Sequence, residues 1–183
     1  MKYLFFDIEC ANTKDGICKM CSFGYVVTDT AFNVLEKDDL IINPDDEFDW
    51  YFFKKNSRIK LPYPKEKYLE YPNFLGQYKK IENILLNDYK AIFGYNVSGD
   101  IKFIKQAYER YGLEPIEVKA YDVIKISKEY GGYTGKLANI PKELLKDEGI
   151  DLTSHKSVDD AYKTMIVLKR ALSLDFCGID KLE

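Results

Sequence analysis

The residues near the start of the chain that are best placed to do chemistry are two carboxylates, Asp7 and Glu9. They follow the apolar run Tyr3 to Phe6, which predicts a buried central strand. Residues two apart on a strand point to the same face, so both side chains would project together from its C-terminal end. Paired carboxylates repel each other and are costly to bury, and a divalent cation such as Mg²⁺ or Mn²⁺ offsets both effects. The alternative is a solvated strand end with two exposed carboxylates.

A third carboxylate, Asp100, follows the apolar run Ala91 to Tyr95, which predicts a second buried strand. It would fall at the end of that strand or in the first turn of a helix predicted at about Gly99 to Tyr111. The C-terminal ends of parallel strands gather in one crevice, so Asp100 could meet the first pair of carboxylates. As an alternative, Ser98 or Asp100 could simply cap the helix.

The third candidate group is the histidine–aspartate pair His155 and Asp160, and this histidine is the only one in the chain. A helix is predicted at about Val158 to Leu172, which places Asp160 on its first turns and His155 on the preceding loop. Histidine accepts a proton near neutral pH and could serve as a general base over the carboxylates. A lone histidine can equally be a surface or capping residue.

A basic, aromatic stretch runs from Lys54 to Lys80, with eight basic and two acidic residues in a chain of net charge −3. Its aromatic residues are Tyr63, Tyr68, Tyr71, Phe74 and Tyr78. Lysines that neutralise phosphates beside rings that stack on bases are typical of single-stranded nucleic-acid binding. A lysine-rich surface above packed tyrosines would give the same pattern, so the sequence leaves both interpretations open.

The bulk composition indicates an ordinary folded protein. At 183 residues, with 46% hydrophobic and 31% charged residues, the chain is long enough for one domain with a substantial core. No apolar run approaches the roughly 20 residues that cross a bilayer, and no secretory signal is visible, so we expect a cytoplasmic protein without a membrane partner. The single CxxC, Cys18 to Cys21, cannot supply the four ligands of a structural zinc site.

The elements that would position these residues form an α/β fold. The first three strands are predicted as an antiparallel meander at Tyr3–Phe6, Ser22–Thr28 and about Val34–Ile42. Strands and helices then alternate, which predicts parallel strands in a mixed sheet flanked by helices. The later elements are expected at Asn73–Tyr89, Ala91–Tyr95, Gly99–Tyr111, Glu117–Tyr121, Val123–Tyr130, about Leu137–Glu148 and about Val158–Leu172.

Taken together, the three motifs resemble those of the DEDDh (DnaQ-like) 3′–5′ exonucleases. This superfamily includes the proofreading subunit of bacterial replicative polymerase, ribonuclease T and oligoribonuclease. The order and spacing of Asp7-Ile-Glu9, Asn96 to Asp100 and His155 to Asp160 agree with the family across nearly the whole chain. The resemblance implies a ribonuclease-H-like fold in a single exonuclease domain, residues 1–183, with a basic and aromatic insertion at about 44–72.

The resemblance also implies roles for individual residues. The catalytic set would be Asp7, Glu9, Asp100, His155 and Asp160. The four carboxylates of this set would hold two Mg²⁺ or Mn²⁺ ions, with Asp7 bridging both, Glu9 and Asp160 completing one site and Asp100 serving the other. His155 would take a proton from the water that attacks the terminal phosphodiester.

The family likeness further suggests substrate-binding residues, namely Cys10, Ala11, Asn12, Asn96 and Phe103. The first three stand where the family commonly has Thr-Thr-Gly, and Tyr95 stands where a histidine is frequent. These departures leave the catalytic set intact. They leave open how the terminal sugar fits, and with it the preference for DNA or RNA.

The function that we expect from the resemblance is metal-dependent 3′–5′ exonucleolytic cleavage of single-stranded DNA or RNA ends, releasing nucleoside monophosphates. Relatives that act alone are often dimers, so a homodimer is an option. One alternative is a catalytically silent nucleic-acid-binding module of the same fold. Another is a hydrolase of di- and short oligonucleotides, in which the cleft is short.

Overall fold

The structure, a computed structural model, describes residues 1–13, 17–49, 60–145, 152 and 155–173. In these ranges the chain forms one six-stranded sheet and six α-helices. The strands are β1 (Lys2–Thr13), β2 (Cys18–Asp29), β3 (Val34–Ile41), β4 (Phe48–Asp49), β5 (Ala91–Gly94) and β6 (Tyr121–Asp122). The helices are α1 (Lys65–Glu70), α2 (Phe74–Leu85), α3 (Ser98–Arg110), α4 (Val123–Glu129), α5 (Lys142–Leu145) and α6 (Ser157–Ser173), with a 3₁₀ turn at Leu137–Asn139.

The sheet order is β3-β2-β1-β5-β6, and β4 pairs with the end of β1. Strands β1, β2 and β3 are antiparallel neighbours, whereas β5 pairs with β1, and β6 with β5, in parallel. The predicted mixed α/β sheet, with an antiparallel meander followed by parallel strands, is therefore confirmed. None of the helices in the described part of the chain has the length and apolar character needed to cross a membrane.

Strand β1 is the centre of the sheet and is longer than predicted. It continues to Thr13 because β2 pairs with it as far as Cys18 and β4 pairs with its last two residues. Its apolar residues are buried on both faces, which explains why the sequence shows a continuous apolar run and not an alternating one. Asp7 and Glu9 consequently lie within the strand, beside a bulge between Glu9 and Cys10, and not at its end.

The two faces of the sheet carry different cores. Leu4, Phe6 and Ile8 pack with residues of α2 and α3, whereas Tyr3 and Phe5 pack with residues of α4 and α6. By the alternation of a strand, the side chains of Asp7 and Glu9 lie on the same face as those of Tyr3 and Phe5. The sheet therefore presents both carboxylates to helix α6.

Helix α6 lies unusually close to the sheet at Gly24 on β2. A Cβ atom at this position would lie 2.0 Å from the backbone nitrogen of Val158 and 2.1 Å from the carbonyl carbon of Ser157. Gly24 pairs directly with Asp7 on β1. The absence of a side chain at Gly24 thus lets the start of α6 rest on the sheet next to Asp7.

Three predicted elements differ from the structure. The strand expected at Glu117–Tyr121 is limited to β6, because β5 offers only a short edge for pairing. The helix expected at about Leu137–Glu148 is divided by Pro141 into the 3₁₀ turn and α5, and residues 146–148 lie outside the described part. The stretch at about 44–72, for which no element was predicted, contains β4 and α1.

Candidate metal centre

Strand β1 brings the first two carboxylates to the site. The Glu9 side chain is buried, with 7% of its surface exposed, and Asp7 is half-buried. A buried carboxylate needs partners of opposite charge or hydrogen-bond donors, because its desolvation is otherwise unfavourable. These two residues therefore do not lie at a solvated strand end, as the alternative interpretation had it.

Asp100 reaches the same region from the first turn of α3. Its side chain is buried and accepts a hydrogen bond from the Ile8 N–H, which joins it directly to β1 between the other two carboxylates. Helix α3 has no side-chain cap, so the capping alternative for Ser98 and Asp100 does not apply.

The turn before α3 is held by Asp122. Asn96 adopts a left-handed conformation with φ of 57°, and its N–H donates to Asp122 Oδ1 at 3.0 Å. The same oxygen accepts the Ile124 N–H at 3.0 Å and so caps α4. Asp122 thereby fixes the path of the chain between β5 and Asp100.

Helix α6 supplies the last carboxylate, and the turn before it supplies the histidine. The backbone N–H of His155 donates to Asp160 Oδ2 at 3.0 Å, and the Lys163 ammonium donates to Asp160 Oδ1 at 2.7 Å. His155 adopts a left-handed conformation with φ of 63°. Its Nδ1 lies 3.9 Å from Oε1 of Glu9. The structure thus brings the motif at the end of the chain against the motif at its start.

The charges of the site act on one another. Burial raises the pKa of Asp7 well above its usual value, and the negative charges of Asp100, Glu9 and Asp160 raise it further. Burial also raises the pKa of Glu9, as do Asp160 and Asp100, whereas the Lys163 ammonium lowers it. This repulsion makes a bound cation favourable at the site.

Asp100 shows the same behaviour. Burial raises its pKa to about 8, and the negative charge of Asp122 adds to this, while the hydrogen bond from Ile8 opposes it.

The donor atoms of the site fit a divalent cation. Glu9, His155 and Asp160 each offer one ligand atom, and these atoms lie within 4.8 Å of one another. Carboxylate oxygens are the preferred ligands of Mg²⁺ and Mn²⁺, and an imidazole nitrogen is compatible with transition ions. The family likeness predicts that His155 is a base and not a ligand. Its position within 4.8 Å of the donor atoms of Glu9 and Asp160 was not predicted.

The residues predicted to bind substrate are distributed differently. Cys10 and Ala11 are buried, with 2% and 1% of their surface exposed, so their side chains are not available to a ligand. Asn12 is half-buried and Asn96 is exposed. Phe103 is half-buried and lines a cavity of about 400 Å³ between α3 and the β1–β2 hairpin, together with Met20, Phe74 and Arg110.

The basic stretch is described only in part, since Lys54, Lys55 and Arg58 lie outside the described residues. In the described part, Tyr68 and Phe74 are buried core residues. These two rings are packed in the core, as in the alternative of a lysine-rich surface above packed aromatic residues, and they are not available to stack on bases.

Two residues of the site were missed by the sequence analysis. Lys163 lies three residues after Asp160, the spacing of neighbours on a helix, and this was a usable signal. Asp39 on β3 raises the pKa of both Asp7 and Glu9. Only the register of β3 against β2 reveals its position, and the sequence does not give that register.

Comparison with known proteins supports the fold. No protein-family model and no curated protein sequence matches the chain. Among solved structures, E. coli exonuclease I in complex with a dT13 oligonucleotide is similar with a TM-score of 0.64 and 19% identity over 92% of this chain. The chain spans about 40% of the length of exonuclease I.

Two further structures match over more of their own length. A 3′-exonuclease that recognises the histone mRNA stem-loop has a TM-score of 0.65 at 12% identity, covering 94% of this chain and 81% of that one. The nuclease domain of 3′hExo, a DEDDh family member bound to rAMP, has a TM-score of 0.60 at 15% identity, covering 94% and 90%. The chain therefore has the ribonuclease-H-like fold of the DEDDh 3′–5′ exonucleases, as predicted.

Proposed function

We propose that this chain, which has the fold of the DEDDh exonucleases, is a metal-dependent 3′–5′ exonuclease that releases nucleoside monophosphates from single-stranded DNA or RNA. The single observation that carries the proposal is that four carboxylates and a histidine from three distant segments converge around the middle of β1. Such a cluster would not serve the stability of the fold, because buried like charges are destabilising.

The carboxylates act as a cation-binding set. Asp7, Glu9, Asp100 and Asp160 would hold two Mg²⁺ or Mn²⁺ ions, whose positive charge would offset the repulsion among the carboxylates that raises the pKa values of Asp7 and Glu9. When bound, such ions stabilise the charge that develops on the attacking and leaving oxygens of an in-line displacement at phosphorus. Glu9 and Asp160 offer donor atoms within 4.8 Å of each other and of a nitrogen of His155, a spacing that fits one such ion.

His155 is the proton acceptor in this proposal. Its side chain is 32% exposed and its Nδ1 lies 3.9 Å from Glu9, so it borders the carboxylates while remaining accessible to water. The hydrogen bond from its own N–H to Asp160 fixes its backbone. From this position it can take a proton from the water that attacks the terminal phosphodiester.

The substrate class follows from the proteins of similar fold. Exonuclease I was solved with a single-stranded DNA oligonucleotide, and the 3′-exonuclease with an mRNA stem-loop. We extend nucleic-acid 3′ ends to this chain as substrate on that likeness. Homodimerisation, a cytoplasmic location and a single domain with an insertion stay predictions.

The test is cleavage of 5′-labelled single-stranded DNA and RNA by the purified protein with Mn²⁺ or Mg²⁺. We expect a stepwise ladder of shortened products, and Asp7→Asn should lower the rate by at least about a thousandfold. Asp88→Asn, which changes an exposed carboxylate in the loop before β5, is the matched control and should leave the rate unchanged.

Two results would contradict the proposal. The absence of any ladder on DNA or RNA with either ion would favour the silent binding module. Cleavage of dinucleotides with no action on longer strands would favour the hydrolase of short oligonucleotides.

A further inference from the structure

Asp39 is a carboxylate that lies next to the candidate metal centre without belonging to its predicted ligand set. It pairs with Gly24 on β2, and Gly24 pairs with Asp7 on β1. Residues that pair across strands point to the same face, so Asp39 and Asp7 stand in one row with the glycine between them. The effect of Asp39 on the pKa values of Asp7 and Glu9 agrees with this proximity.

Both carboxylate oxygens of Asp39 accept hydrogen bonds from hydroxyl groups. The Ser157 hydroxyl donates to Oδ1, and the Tyr63 hydroxyl donates to Oδ2 at 2.6 Å. Hydrogen bonds to an ionised carboxylate are short and strong, and two of them fix its orientation. Asp39 is therefore held by two donors that lie in distant parts of the chain.

Ser157 is the first residue of α6 and is fully buried. Its hydroxyl oxygen also lies 2.8 Å from that of Ser22 on β2, and its backbone rests directly above Gly24. These contacts set where α6 begins on the sheet. His155 lies two residues before Ser157, and Asp160 lies three residues after it, so the same contacts set the positions of both.

Tyr63 belongs to a different part of the molecule, the segment 60–72 between β4 and α2. Its ring packs edge-on against Tyr68 with centroids 6.0 Å apart, and the Lys67 ammonium lies 4.3 Å from its centroid. Tyr68 in turn is buried against Phe48. Tyr63 is thus fixed in this segment while its hydroxyl reaches the carboxylate that holds α6.

We propose that Asp39 is a positioning residue of the metal centre: it joins Tyr63 to Ser157 and makes the placement of Asp160 and His155 depend on the segment 60–72. The proposal rests on the proposed function of the same site. In this proposal the role of the segment is to hold α6 at the position on the sheet that cation binding requires.

A purely structural role for this network would have different consequences. Removing one hydroxyl would then lower the free energy of unfolding and leave cation affinity unchanged. A positioning role moves the cation affinity itself, because partners that orient ligands typically account for about ten- to a hundredfold in affinity. The two roles are separated by measuring both quantities on one set of variants.

The experiment measures Mn²⁺ binding by titration calorimetry and electron paramagnetic resonance, without nucleic acid, on the full chain. The variants are Tyr63→Phe, Asp39→Ala and their combination, with Asp38→Asn as the control. Asp38 is the neighbouring carboxylate on β3, is exposed and contacts Lys80 at 3.4 Å. Thermal unfolding and the kcat and KM of cleavage are recorded for each.

We expect Tyr63→Phe to weaken Mn²⁺ binding by about tenfold and to lower kcat more than it raises KM. Asp38→Asn should match the parent. In the Asp39→Ala background, Tyr63→Phe should have no further effect on affinity, because both substitutions interrupt the same connection.

Three outcomes would overturn the inference. They are an unchanged Mn²⁺ affinity in Tyr63→Phe, additive effects of Tyr63→Phe and Asp39→Ala, or a change confined to KM, which would make Tyr63 a substrate contact. Failure of the parent protein to bind Mn²⁺ or to cleave any strand would instead contradict the proposed function, so the two failures are distinguishable.

Discussion

At the scale of single residues, the site combines four neighbouring carboxylates with one buried ammonium group. Lys163 is 2% exposed and contacts Asp160 directly, so it supplies positive charge where bound ions would otherwise be the main source. A buried ion pair contributes little net stability, but breaking it leaves an uncompensated charge in the interior. Lys163 is therefore expected to stabilise the metal-free site.

We predict that Lys163→Met lowers the free energy of unfolding of the metal-free protein by about 3 kcal/mol at neutral pH. Saturating Mn²⁺ should restore more stability to the variant than to the parent, because the ion replaces the lost cation beside Asp160. Chemical denaturation with and without Mn²⁺ measures both effects. The exposed Lys102 provides the control as Lys102→Met, and equal losses in the two variants would count against the prediction.

The second prediction at this scale concerns His155, whose side chain is 32% exposed and whose Nδ1 lies 3.9 Å from Oε1 of Glu9, and which we propose as the base. As a base, His155→Ala should lower kcat by about a hundred- to ten-thousandfold while Mn²⁺ affinity stays within about threefold of the parent. Steady-state kinetics and Mn²⁺ titration give the two numbers. If affinity falls as far as it does in Asp160→Asn, His155 is a ligand and its assignment as the base is wrong.

At the scale of elements, the site depends on how α6 lies on the sheet. The sequence of β1 predicts that Asp7 and Glu9 share a face, because side chains alternate between the two faces along any strand. Which helix covers the face is decided by Gly24, where a side chain would collide with the α6 backbone. A glycine within a strand usually marks such a close approach, but the sequence does not name the element that approaches.

We predict that Gly24→Ala displaces the start of α6, destabilises the protein by about 2–4 kcal/mol and lowers nuclease activity by at least about tenfold. The reason is that the new Cβ would lie 2.0 Å from the Val158 nitrogen, which only a backbone shift can relieve. Thermal unfolding and cleavage rates give the result. Gly99→Ala is the stability control, since a Cβ there meets nothing within 4 Å, and an unperturbed Gly24→Ala protein would contradict the prediction.

At the scale of the whole molecule, several carboxylates have raised pKa values, so the stability of the metal-free protein is expected to fall as the pH rises. The pKa of Asp100 is about 8 in the folded protein against 3.8 for an ordinary aspartate. The folded state therefore keeps a proton that the unfolded chain releases. The stability that this group contributes is complete below about pH 4 and is lost as the pH rises towards 8.

We predict that the metal-free protein loses stability between about pH 5 and pH 8, and that Mn²⁺ restores it at the upper end because ions favour the ionised carboxylates. Urea denaturation with a chelator or with Mn²⁺ measures the change. Asp100→Asn removes one of the titrating groups and should reduce the slope, with a gain of about 2–5 kcal/mol at pH 8 in the metal-free state. A parent and variant with equal slopes would refute this account.

The sequence by itself determined the fold class and most of the strands and helices, because each depends on local periodicity and spacing, and it offered the acidic residues and the histidine as candidates. It could not determine which faces meet. Asp39 carries no local signal of its position, since a one-residue change of register would turn its side chain to the opposite face, and Tyr63 lies outside any strand or helix, where no periodicity predicts its direction. The tertiary structure decided that Asp39 joins Tyr63 to Ser157 and that Lys163 is buried against Asp160, because these contacts arise only when distant segments pack together.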